Sequence, residues 1–184
     1  MKVIDATPRM LDEFVSSSLE LVSSMDGVLV IAVATGGIPL AKQIHSLNPD
    51  FKYAEVKCQR PTTATKKSGF LGYVFNKLLA VLPKCILNVL RLIEHFILQR
   101  RRNPSREIIE LTKVSFENIS VILIVDDAID SGHSIKHVKK YFQNLVNIPV
   151  YTTVFVTTQR NPVAHADFSF LKNVLVRFPW SKDA

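Results

Sequence analysis

Cysteine is nearly absent from this chain. Its 184 residues hold only Cys58 and Cys85, too few for a disulfide scaffold, and the two lack the spacing of a metal site. The five histidines, His45, His95, His133, His137 and His165, show no metal-ligand spacing either. No secretory leader stands at the amino end, so with so little cysteine the chain reads as one made for a reducing cytoplasm. There is no internal repeat and no low-complexity tract, and tryptophan occurs once, at Trp180. No uncharged apolar run reaches the roughly 18 residues of a membrane-spanning helix. Even so, 184 residues can bury a core without cross-links, and the length fits a single domain over 1–184.

What is present alternates. A helix is expected over 8–25, a buried strand over 27–33, a helix through about His45, and a strand from Phe51 to Arg60. Further on come a strand over 121–125, a helix from Ser134, a strand over 149–157 and a terminal strand near 174–177. Strands alternating with helices mean an α/β fold, a mainly parallel central sheet with helices on both faces.

The chemistry concentrates in Val121-Ile-Leu-Ile-Val-Asp-Asp-Ala-Ile-Asp-Ser-Gly-His-Ser-Ile135. Five apolar, largely β-branched residues make a strand buried on both faces. That puts Asp126 and Asp127 at its carboxyl end, where open α/β sheets bind ligands. Asp130, Ser131, Gly132, His133 and Ser134 make a polar turn into a helix whose apolar face is Ile135, Val138, Tyr141, Phe142 and Leu145. Amides at a helix start form an anion pocket. Paired carboxylates beside it suit vicinal hydroxyls and, through them, a magnesium ion. A capped helix would need one such residue; three carboxylates and two serines exceed that need.

This segment resembles the signature of the type I phosphoribosyltransferases, which use 5-phosphoribosyl-1-pyrophosphate (PRPP). The family pattern has two acidic residues, two apolar ones, then Asp-Thr-Gly with a basic and a hydroxyl residue. Here Ser131 stands for the usual Thr and His133 for a common Lys or Arg. The resemblance implies that Asp126 and Asp127 hold the ribose 2- and 3-hydroxyls. It also implies that residues 130–134 wrap the 5-phosphate and that Asp130 lies nearest the reacting centre, as the candidate general base. Ala34-Thr-Gly-Gly-Ile-Pro-Leu-Ala41 is similar to the family's pyrophosphate loop, with Thr35, Gly36 and Gly37 in that role, since Gly-Gly lets the backbone approach an anion. Lys57 and Arg60, at the end of the next strand, are the implied cations for the pyrophosphate, with Lys66 and Lys67 behind them.

Residues 69–102 break the alternation. Two apolar helices hinged at Pro83 are expected there, and from Lys66 to Arg106 nine Lys or Arg meet the single acid Glu94, a net of +8 where the whole chain is +7. Basic charge around broad apolar helices fits an interfacial membrane element; a helical hood or a homodimer interface is the alternative. Nucleic acid is not an expected partner, because neither stacking aromatics nor groove readers accompany the charge. A membrane-held acceptor would give such an insertion a purpose. The subgroup it most resembles adds ribofuranose 5-phosphate to a sugar hydroxyl of lipid-linked bacterial polysaccharide, at the inner face of the cell membrane. Two other readings stay open. Arg177-Phe-Pro-Trp180 resembles the chain end of some 6-oxopurine and xanthine phosphoribosyltransferases, which implies a nucleobase acceptor, and a PRPP-sensing regulator would keep the site without catalysis. If 69–102 meets lipid, its deletion is expected to move the protein from the membrane fraction to the soluble one; an unchanged distribution would count against lipid contact.

Overall fold

The computed structural model describes residues 1–59 and 107–181. Arg60, Lys66, Lys67 and the proposed insertion at 69–102 lie outside the described residues. The elements run β1 (Lys2–Asp5), α1 (Pro8–Glu20), β2 (Val28–Ala34), α2 (Gly37–Leu47), β3 (Lys52–Gln59), β4 (Glu107–Leu111), β5 (Val121–Ile129), α3 (His133–Leu145), β6 (Val150–Thr157), β7 (Phe168–Lys172) and β8 (Val174–Arg177).

Six strands form the central sheet in the order β4-β3-β2-β5-β6-β7. All neighbours are parallel except β4, which closes the edge antiparallel to β3. The β-branched runs of β2 and β5 occupy its centre because both faces are covered there. Val28, Val30 and Ala32, with Val121, Leu123 and Val125, pack toward α1 and α2. Leu29, Ile31 and Val33, with Ile122 and Ile124, pack toward Ile135, Val138 and Phe142 of α3. The expected mainly parallel sheet with helices on both faces is what forms.

Several boundaries differ from the sequence reading, each for a local reason. The first helix ends at Glu20 instead of Met25. Ser23 Oγ bonds to the Glu20 carbonyl, and Val22 and Met25 donate to carbonyls three residues back, so the chain tightens into turns. The strand expected over 121–125 continues to Ile129, because β6 keeps pairing with it. Strands β1, β4 and β7 were not expected: β4 and β7 are the edges of the central sheet and β1 is half of a two-stranded pair, places that do not call for the continuous apolar run of a central strand. The terminal strand falls where expected but joins no central neighbour; it pairs with β1 in a separate two-stranded parallel sheet. Asn173, at φ 59°, makes the break that lets β8 leave the line of β7.

Among the described residues no helix is long and apolar enough to cross a membrane. On the α1 face, Phe155 is fully buried with ring centroids 5.5 Å from Phe14, 5.3 Å from Phe170 and 5.2 Å from Phe178. Phe155→Ala is expected to cost about 3–5 kcal/mol of unfolding free energy, read as a drop in the urea midpoint. A loss under about 1 kcal/mol would mean that the three neighbouring rings collapse into the space.

Candidate active site

Two central strands part at the carboxyl edge of the sheet. Strand β2 pairs with β5 only as far as Ala32 opposite Val125, whereas β5 stays paired with β6 until Ile129 meets Thr157. From Asp126 onward, β5 therefore has a neighbour on one side only. The chain leaving β2 passes over one face through α2 to β3, and the chain leaving β5 passes over the other face through α3 to β6. A crevice must open where the two crossovers diverge. Asp126 and Asp127 lie inside the hydrogen-bonded strand and not beyond its end, yet at the level where β2 stops.

Two adjoining cavities occupy this crevice. The smaller, about 110 Å³, is lined by Asp126, Asp130, Ser131, Gly132 and Ser134 among others. The larger, about 570 Å³, is walled by Thr35, Gly36, Cys58, Asp126, Asp127 and Trp180 with their neighbours. They share Asp126, Ala128 and Ser134. The two segments singled out in the sequence, 35–37 and 126–134, thus meet in space across about 90 residues of chain. Lys57 sits opposite Ala34 on β3, but it is its neighbour Cys58, not singled out from sequence, that lines the larger cavity.

Both helices that begin at the crevice start from glycine, and neither has a side-chain cap: α2 follows Gly36 and α3 follows Gly132. Away from the site, α1 is capped by Thr7, whose hydroxyl accepts from the Met10 amide at 3.3 Å. Gly132 has φ +80°, and an added side chain there would run into the Ala164 backbone. At Gly36 the limit is space, since the Asp127 carboxylate already fills the place where a side chain would start. The Ala34–Thr35 peptide bond in this loop is cis.

Three carboxylates line the two adjoining cavities, with Asp126 common to both. Asp126 is buried, and its Oδ1 accepts from the Asp127 amide at 2.9 Å. Burial pushes the Asp127 carboxyl above the usual range; hydrogen bonding with Asp126 and the Ala128 amide pulls it back, and the Asp130 charge pushes it up again. Asp130 itself is exposed, and one of its oxygens accepts from the hydroxyl of Thr158 at 2.5 Å. Thr158 was not picked out from sequence, although its place immediately after a central strand was a usable signal. His133 is the first residue of α3.

The Asp127 shift has a consequence for stability. A raised native pKa means that the folded chain binds the proton more tightly than the unfolded chain, so stability falls as pH rises through that value. Asp127→Asn removes this dependence. The variant is expected to melt higher than wild type at pH 7, with the gap closing in acid; a lower melting point at pH 7 would show that the carboxylate's bonds outweigh its burial.

No family model and no curated protein matches this chain. Solved structures do. A purine phosphoribosyltransferase from Pyrococcus horikoshii is similar at a TM-score of 0.65 and 14% identity, covering 98% of this chain and 95% of its own. The Helicobacter pylori xanthine-guanine-hypoxanthine phosphoribosyltransferase gives 0.59 and 17% identity, over 97% and 92%. A hypothetical protein from Neisseria gonorrhoeae with bound ppGpp gives 0.60 and 11%, over 98% and 89%. At these identities the likeness concerns architecture, and the chain has the fold of the type I phosphoribosyltransferases.

Proposed function

We propose that this protein transfers the 5-phosphoribosyl group of PRPP to a purine base with release of pyrophosphate. The observation that carries the reading is a shared wall: Trp180 lines the same cavity as Asp126, Asp127 and the Thr35-Gly36 loop. An indole there offers a planar base a stacking surface beside the ribose-binding carboxylates. Phe178 backs it, stacked at 4.9 Å and 17°. Two of the similar structures are purine phosphoribosyltransferases, which supports the same acceptor class. The sugar-hydroxyl acceptor and the membrane contact draw on 69–102 alone, outside the described residues, so the purine takes first place.

In this reading the 5-phosphate occupies the small cavity and takes hydrogen bonds from the start of α3. Asp126 and Asp127 receive the ribose hydroxyls, and the pyrophosphate lies along Thr35, Gly36 and Gly37, with Lys57 and Arg60 as its cations. A ring nitrogen of the purine bonds to C1 of the ribose as the C1–oxygen bond breaks. The electron pair leaves on pyrophosphate, and the proton of the attacking nitrogen passes to Asp130. Magnesium fits the donor set in one way. Asp126 and Asp127, two adjacent carboxylates at the cavity, would hold it through the ribose hydroxyls. The chemistry that it supplies is neutralisation of the leaving pyrophosphate.

The test is pyrophosphate release from PRPP with hypoxanthine, guanine and xanthine, compared with lipid-linked glycans from membrane extracts. Turnover with a base is expected. Trp180→Ala should then raise the KM for that base about tenfold or more while the KM for PRPP stays within about twofold. Turnover with the glycans alone would restore the sugar acceptor. PRPP binding without turnover on any acceptor would make the chain a sensor.

A further inference from the structure

We propose that Thr158 is a positioning residue for the transfer step, its hydroxyl holding the Asp130 carboxylate in one orientation toward the acceptor. This rests on the reading above, in which Asp130 stands at the reacting centre. Thr158 directly follows β6, and its amide donates to the Ile129 carbonyl at 2.9 Å, which fixes its backbone against the residue before Asp130. Its Oγ1 lies 2.5 Å from Asp130 Oδ1 and 3.3 Å from the Ile129 carbonyl. A hydroxyl has one proton to give, and the nearer, charged acceptor takes it.

The contrast in exposure gives the bond its purpose. Thr158 is 5% exposed, whereas Asp130 is exposed. The last torsion of an aspartate is broad and poorly defined by sterics alone. A carboxylate at a solvent-facing turn would sample many planes, and transfer depends on alignment of the reacting atoms. A donor whose backbone is bonded to the end of β5 narrows that freedom. It engages Oδ1 and so restrains the carboxylate from the protein side.

The loop that Thr158 opens also supports the phosphate turn. The Val163 amide donates to the Ser131 carbonyl at 2.9 Å, and the Ala164 backbone leaves no room for a side chain at position 132. Thr158→Val keeps these backbone contacts and the side-chain volume and loses only the hydroxyl, so it separates positioning from support.

With PRPP and the best base, Thr158→Val is expected to lower kcat about 10- to 100-fold, with the KM for PRPP within about twofold and an unchanged melting point. Thr158→Ser, which keeps the hydroxyl, should recover kcat to within about threefold of wild type. In an Asp130→Asn background the valine should cost nothing further, because both changes act through one group. A kcat within about twofold of wild type in Thr158→Val would overturn the inference. So would a proportional rise in the KM for PRPP, or an equal further loss in the Asp130→Asn background. A wild-type chain that turns over no base overturns the functional reading itself, a result distinct from an active wild type indifferent to Thr158.

Discussion

Everything at the site follows from one unequal pairing in the sheet. Strand β5 is held by β2 only to Val125 and by β6 as far as Ile129. Had both neighbours stopped together, the carboxylates would have projected into loop and solvent. Had both continued, the ladder would have sealed the crevice. The one-sided extension keeps Asp126 and Asp127 on rigid backbone while opening the space beside them. The reversal of winding direction at β2 and β5 then sends α2 and α3 to opposite faces, with both helix starts at the same opening.

That geometry brings like charges together at a cost. Asp126 is buried, Asp127 is pressed on Gly36, and Asp130 adds its own repulsion to Asp127. Nothing in the packing of the sheet requires three acids there; apolar residues would satisfy the same strand. Opposing them are the positive ends of two helices that lack side-chain caps. Acids suited to hydroxyls and helix starts suited to anions together match the phosphorylated sugar of the proposed reaction better than either set would alone.

How much of this the sequence disclosed depended on how local the information was. The β-branched run into Asp126-Asp127, the turn at 130–134 and the Gly-Gly loop each state their conformation within a dozen residues, through residue types whose backbone preferences are strong. Their meeting in space followed from the α/β alternation. Strands β1, β4 and β7 were missed because edge strands and paired strands outside the central sheet lack the continuous apolar run of β2 and β5. Cys58 and Thr158 were missed for another reason. Cys58 reaches the site through the register of β3 on β2. The place of Thr158 after β6 was legible, but its bond to Asp130 depends on the pairing of β6 with β5, and pairing is a property of two segments together.

The acceptor side shows the same limit more sharply. Trp180 reaches the cleft because the chain end is returned to it by β8, which pairs with β1 at the opposite end of the sequence. The bond that fixes this return joins residues 172 apart: buried Arg177 donates to Asp5 Oδ1 at 2.6 Å. With half of the Asp5 side chain exposed, the charge pair alone adds little. Its weight lies in geometry, since Phe178 follows directly and meets Phe155 edge-on, and Trp180 stacks on Phe178. The donor half of the proposed site is thus written in contiguous motifs, whereas the acceptor half is assembled from both chain ends. Donor chemistry in such a fold can be read from a short motif, while acceptor identity depends on tertiary contacts that can drift without disturbing the motif. In this chain the proposed acceptor wall at Trp180 therefore depends on the pairing of β8 with β1, which the donor-side motifs do not need.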